Sequence, residues 1–234
     1  MNKQKNFSTL RLEATADGSH TLFVPALDEH YHSVNGAIQE SMHVFIQAGL
    51  QQLPSQNSVR ILEIGFGTGL NALLTLLYAR EAGVAVHYTA LERYPLPSSV
   101  TGQLNYPQQL GVPDAAHLFG QLHAVPWDKE TAITPDFTLL KIETDFTSHI
   151  LTATYDLIYF DAFAPEKQSE MWQQQLFGRL FSATNEGGIL TTYCAKGEVR
   201  RMLQQSGYIV ERIPGPPGKR QMIRAVRGVL DNDK

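Results

Sequence analysis

The chain reads as an α/β protein built on a mostly parallel sheet, and three observations lead there. From Val59 onward, apolar runs of strand length alternate with stretches of helical period. The runs are apolar nearly throughout, as strands covered on both faces are. The last two, "YIVERI" and "RQMIRAVRG", are joined only by "PGPPGK", too short for a crossover helix, so they pair antiparallel at the C-terminal edge.

Residues 9–25 alternate around "ADG", which predicts a β-hairpin with an Asp-Gly turn. The segment "DEHYHSVNGAIQESMHVFIQAGLQQL" spaces Ile38, Met42, Phe45, Ile46 and Leu50 by three and four, the signature of an amphipathic helix ending near Pro54. Then follow a strand "VRILEIG", a helix over 68–81, a strand "VAVHYTALE" and a helix over 95–109. "FTLLKIE" and "YDLIYFDAF" are strands, 167–183 a helix, "GGILTTYC" a strand and 197–205 a helix before the final hairpin. This divides the chain into an N-terminal extension, 1–55, packed on a main domain, 56–234.

With 43% hydrophobic and 18% charged residues in 234, the chain has the composition of a folded protein with a well-buried core. No run approaches the roughly 18 apolar residues that would span a bilayer, and the first ten residues carry no apolar signal core. A cytoplasmic protein with no membrane partner is expected. The single cysteine, Cys194, excludes an internal disulfide and a cysteine-based zinc cluster. His30, His32 and His43 offer no helical i,i+4 pair, so no metal is expected. Net charge is −4, yet from Lys196 onward nine Lys or Arg face four acids, a local balance of +5.

"EIGFGTG" follows a strand and opens a helix, the context in which a glycine loop binds a ligand. Gly65, Gly67 and Gly69 depart from the dinucleotide fingerprint, whose third glycine would stand at Leu70. No Lys-Ser or Lys-Thr follows, so a phosphate-cradling loop is excluded. A close-approach loop without a phosphate grip, preceded by Glu63, suits a cofactor lacking phosphates, such as S-adenosyl-L-methionine. Glu92 ends the second strand of the main domain, where a carboxylate can accept both ribose hydroxyls. Asp145 follows the third, where it could accept from the adenine amino group. Asp161 ends the fourth, where the sulfonium methyl should point, ahead of a tight loop with Phe163, Ala164 and Pro165.

"GFGTGLN", "LERYPL", "FDAFAPEKQSEMW" and "PGPPGKRQMIRAV" together resemble the methyltransferase module of the bacterial tRNA 5-methylaminomethyl-2-thiouridine-forming enzymes, the MnmC type. The resemblance runs from about His30 to near the end, with Ser169 where the family usually has Pro and Gln221 in place of an acid. It implies a class I, Rossmann-like S-adenosyl-L-methionine-dependent fold with a C-terminal antiparallel strand. Asn71 of the loop motif and Tyr31, Ser33, Gly36 and Glu40 of "YHSVNGAIQESMHVF" become cofactor contacts by that resemblance. Because the chain has the length of the methyltransferase module alone, it resembles the stand-alone members that work without FAD, other enzymes supplying the aminomethyl-uridine tRNA.

The implied reaction is N-methylation of a 5-aminomethyl group on the wobble uridine of tRNA, leaving S-adenosyl-L-homocysteine. Asp161 is then the catalytic candidate, receiving or relaying the amine proton while it also borders the donor. Phe163, Pro165, Trp172 and Tyr193 are candidates for holding a splayed-out base. Lys167, Lys196, Arg200, Lys219 and Arg220 are candidates for phosphate contacts. Two rivals stand beside this reading: a methyl- or aminopropyl-transferase for a small amine, and a non-catalytic S-adenosyl-L-methionine-binding module.

Overall fold

The computed structural model describes residues 10–229. The N-terminal residues 1–9 and the last five, with Lys234 of the basic quarter, lie outside it. Strands β1 (Arg11–Ala14), β2 (His20–Val24) and β3 (Glu29–His30) form a small antiparallel sheet. The β1–β2 connection carries the expected turn: Asp17 accepts from the Ser19 amide at 3.0 Å and Gly18 has φ 81°. The next segment begins as helix α1 (Ala37–Ser41), widens into a π-helical stretch at Met42–Gln47 and ends in a 3₁₀ turn at Leu50–Gln52.

The main sheet follows. Strand β4 (Ser58–Ile64) leads into α2 (Leu70–Ala82), then β5 (Ala85–Glu92), α3 (Ser98–Thr101), α4 (Tyr106–Leu110), α5 (Ala115–Ala124), β6 (Thr131–Thr134) and β7 (Phe137–Glu143). Next come β8 (Tyr155–Phe160), α6 (Gln174–Ala183), β9 (Thr184–Thr192), α7 (Gly197–Ser206), β10 (Ile209–Pro214) and β11 (Gln221–Val226). The order across the sheet is β10-β11-β9-β8-β4-β5-β7-β6. The five strands β9, β8, β4, β5 and β7 pair in parallel, β11 and β6 run against them, and β10, paired only with β11, points the same way as the five. The expected C-terminal hairpin is present, with β11 inserted between β9 and β10.

Alternation along the strands feeds two apolar layers. Val59, Ile61, Leu157 and Tyr159 face α2, α5 and the N-terminal segment; Leu62, Ile64, Ile158 and Phe160 face α6 and α7. Each such side chain, fully buried, contributes about 1.5–3 kcal/mol. Val44, Phe45 and Ile46 of the π-helical stretch are buried in the first layer, so the N-terminal segment shares the core of the sheet. Helix α2 is buried around most of its circumference, which explains its continuous apolar sequence.

Beyond the unpredicted β3 and the broken N-terminal helix, the structure departs from the predicted elements in further places. The helix expected over 95–109 is two short helices, because Pro107 lacks the amide a continuing helix needs and restarts the turn. The helix expected over 167–183 begins as a 3₁₀ turn at Ser169–Met171 and breaks at Trp172, whose indole Nε1 donates back to the Phe163 carbonyl at 2.7 Å. Helix α5 and strand β6 fall where no element was predicted; β6 is a four-residue edge strand, too short for a clear period. Among the described residues no helix is long and apolar enough to cross a membrane.

Lys141 of β7 is 1% exposed. Its ammonium donates to the carbonyls of Leu122 and His123 in the last turn of α5, at 2.8 and 3.0 Å, and lies 4.8 Å from the Trp127 ring and 5.4 Å from that of Phe66. It satisfies carbonyls that a helix end leaves orphaned and backs the glycine loop through Phe66. Burial pulls its pKa from 10.5 to about 8, so between those pH values the unfolded chain binds more protons and the Lys141 contribution to stability rises with pH. Urea unfolding of wild type and Lys141→Met on either side of that window should show the wild type gaining on the variant as pH increases. A difference independent of pH would overturn the assignment.

Candidate active site

The loop of residues 65–69 is shaped by what its backbone must pass. Strands β4 and β8 are neighbours, and the Asp161 amide donates to the Ile64 carbonyl at 3.1 Å just beyond their last paired residues. Gly65 has φ 96°, and a Cβ there would stand 2.8 Å from the Asp161 carbonyl oxygen. At Gly67, with φ 49°, a Cβ would press on the Tyr31 ring at 3.2 Å. Gly69 caps the start of α2.

At the carboxyl ends of β4, β5, β7 and β8 lies a crevice of about 380 Å³, where ligands of doubly wound sheets bind. Its acids are held in distinct ways. Glu92 accepts from the amides of Gly67 and Tyr94, at 3.0 and 2.7 Å. Asp145 accepts from the Thr147 amide and hydroxyl, at 2.9 and 2.7 Å, and pairs with Arg93 at 2.7 Å. Asp161 accepts from the Asn71 amide nitrogen at 2.9 Å.

The same Asn71 nitrogen donates to Glu63 Oε1 at 2.9 Å, so one amide bridges two carboxyl groups. Glu63 is wholly buried beside Tyr88, and burial pushes its pKa well above the usual range, favouring its neutral form. Asp161 is pushed up to about 7, by burial first and by the nearby Glu40 carboxylate second. It therefore titrates where a proton acceptor for neutral pH should.

Residues 30–36 run over the crevice as a strap. The Tyr31 ring sits edge-on to Phe163 at 5.1 Å. His32 Nε2 lies 2.7 Å from Thr68 Oγ1, and burial lowers its pKa to about 4, so it stays neutral. Glu40 accepts from the Ser33 amide at 2.7 Å and pairs with Lys219.

Of the residues expected from sequence, Tyr31, Ser33, Glu40, Gly65, Gly67, Asn71, Glu92, Asp145, Asp161, Phe163, Tyr193 and Lys219 line the crevice. Glu63 lies beneath it, Gly36 at the base of the strap and Gly69 at the helix start. Trp172 is buried under the loop it bonds, next to Phe160. Pro165 does not reach the crevice lining; Lys167 pairs with Asp28 and Lys196 with Glu166. Arg200 is partly buried and Arg220 exposed. The lining also includes Arg93, His32, Thr68 and Gln168, which fall inside the quoted motifs without being singled out as site residues. Arg93 was legible only as the neighbour of Glu92, and His32 belongs to a segment read for metal ligands.

Gly65→Ala should cost about 1–3 kcal/mol through its left-handed backbone and the clash with the Asp161 carbonyl, lowering Tm by roughly 2–4 °C for each kcal/mol. Thermal unfolding checks it; an unchanged Tm would mean that the β4 and β8 ends move apart freely.

Residues 129–228 match the sequence profile of an S-adenosyl-L-methionine-dependent methyltransferase family. The "tRNA 5-methylaminomethyl-2-thiouridine biosynthesis bifunctional protein MnmC" of Magnetococcus marinus is 32% identical over 99% of this chain and 36% of its own length. The protein of the same name from Cupriavidus necator is 33% identical over 86% of this chain and 32% of its own. The chain thus spans about a third of the length of these relatives. The crystal structure of MNMC2 from Aquifex aeolicus superposes with a TM-score of 0.79 at 25% identity, covering 94% of this chain and 70% of that one. The chain belongs to the S-adenosyl-L-methionine-dependent methyltransferases, as a class I fold matching the methyltransferase part of the MnmC proteins.

Proposed function

We propose that the chain N-methylates the 5-aminomethyl group of uridine or 2-thiouridine at the wobble position of tRNA. The reading is carried by Asp161, a carboxyl group titrating near neutrality at the end of β8, in the crevice that the glycine loop borders. The choice of acceptor is supported by the names of the MnmC relatives.

The residues present suit S-adenosyl-L-methionine. Gly65 and Gly67 leave backbone with no Cβ between strand end and crevice, and the lining holds five acids, Glu29, Glu40, Glu92, Asp145 and Asp161, against the cations Arg93 and Lys219. That balance favours a positively charged ligand over a phosphorylated one. Bound there, the cofactor supplies an electrophilic methyl on a sulfonium, leaving S-adenosyl-L-homocysteine once the methyl is gone.

Glu92 is assigned to the ribose hydroxyls and Asp145 to the adenine amino group. Tyr31 and Ser33 cover the donor from the strap, with Gly36 shaping its base. Asn71 holds Asp161 toward the crevice and bridges it to the buried Glu63 below. Asp161 accepts the proton of the acceptor ammonium, freeing the nitrogen lone pair for in-line attack. Phe163 and Tyr193 flank the path of a splayed-out base. Exposed Arg220, one residue beyond the crevice-lining Lys219, is placed for a phosphate, and Lys167 and Lys196 would exchange their surface carboxylate partners for one.

Incubation with tRNA carrying unmethylated 5-aminomethyl uridine and methyl-labelled donor, followed by nucleoside analysis, should place the label in the 5-methylaminomethyl nucleoside. Donor binding without tRNA labelling would overturn the acceptor assignment. Asp161→Asn should lower kcat by about 10²-fold or more while the donor Kd stays within roughly threefold. In the wild type, kcat should rise with pH through about 7, as Asp161 loses its proton, and this limb should vanish in the variant.

A further inference from the structure

Lys219 is the residue whose environment fits a phosphate ligand least. It lies in the loop between β10 and β11, yet its ammonium bonds Oε1 of Glu40, 179 residues away, and stands 3.9 Å from the centroid of the Tyr193 ring. Glu40 is 7% exposed, and its second oxygen accepts from the Ser33 amide of the strap. A carboxylate that deep keeps its charge only with a partner. Tyr193 in turn donates its hydroxyl to the Ala162 carbonyl at 2.8 Å, next to Asp161. A chain of contacts thus runs from the strap through Glu40, Lys219 and Tyr193 to the loop after β8.

We infer that Lys219 is a positioning residue: by neutralising Glu40 and lying on Tyr193 it holds the strap closed over the methyl donor, and it does not bind a tRNA phosphate. The inference rests on the crevice holding a sulfonium donor. The backbone around Lys219 supports it independently. Gly218 has φ 85° and lies so close to the Asn35 side chain that a Cβ would overlap it. His43 Nε2 sits 2.9 Å from the Pro214 carbonyl at the other end of the loop. The loop is therefore packed against the strap and α1, and Lys219 points inward.

The test is donor binding by calorimetry without tRNA, beside steady-state kinetics with both substrates. Lys219→Met should weaken donor binding and raise donor KM about tenfold or more, since it strands a buried carboxylate, while tRNA KM stays within about twofold. Lys219→Arg should recover donor binding to within roughly threefold. Adding Glu40→Gln to Lys219→Met should restore much of the loss, because the stranded charge is gone. Should Lys219→Met fail to fold, the double variant carries the test: it must fold and bind donor, and its failure overturns the inference. Unchanged donor binding in Lys219→Met, or a weaker salt dependence of tRNA binding with donor binding intact, would return Lys219 to phosphate contact. A wild type that does not bind the donor at all would instead sink the methyltransferase reading of the site.

Discussion

The crevice depends on how closely the ends of β4 and β8 approach each other. The Asp161 amide donates to the Ile64 carbonyl, and the chain leaving β4 passes the Asp161 carbonyl with no room for a Cβ. That contact brings the glycine loop, the carboxyl group of Asp161 and the first residues of α2 to one point. Asn71, the second residue of α2, is placed to bond Asp161 only because the loop turns so tightly. A side chain at Gly65 would push β8 away and separate donor loop from proton acceptor, so a glycine noticed as a cofactor signal is equally the spacer between two strands.

The second constraint is electrostatic. Several acids meet in one crevice, and unpartnered they would repel one another. Four of them have remedies of their own: backbone amides for Glu92, Arg93 and Thr147 for Asp145, Lys219 and the Ser33 amide for Glu40, and for Glu63 a burial that favours the neutral form. Asp161 has a single neutral donor, the Asn71 side-chain amide, as its anchor. A single neutral donor does not offset the penalty of burial, so its proton affinity stays high. The partners given to its neighbours are what leave Asp161 as the titrating group.

The parallel sheet, the antiparallel hairpin and the convergence of Glu92, Asp145 and Asp161 on one crevice were legible in the sequence because each rests on local pattern plus one topological rule. What was not legible depends on partners distant along the chain. The basic surplus after Lys196 supplied candidate phosphate contacts, but which of its charges already have partners was not legible: Arg224 pairs with Glu211, Arg227 bonds the carbonyls of Phe181 and Thr184, and Lys196 pairs with Glu166. Composition counts charges without their partners. Lys141 reads as one polar residue in a strand, and its role at the end of α5 appears only once that helix, itself unpredicted, is in place.

The strap and the loop between β10 and β11, far apart in sequence, meet over the site, and this gives the C-terminal "PGPPGKR" a meaning its composition lacks. A loop between antiparallel strands needs only a turn; this one passes against Asn35, receives His43 at the Pro214 carbonyl and delivers Lys219 to Glu40. The strap is anchored at one end, where His32 is buried and bonded to Thr68 and Tyr31 packs on Phe163, but Val34 and Asn35 beyond them are exposed. Its outer part is held by polar contacts to the β10–β11 loop, which the sheet carries there by pairing β11 with β9. The cover of the crevice thus depends on the C-terminal hairpin, though the strap precedes the first strand of the main sheet in sequence.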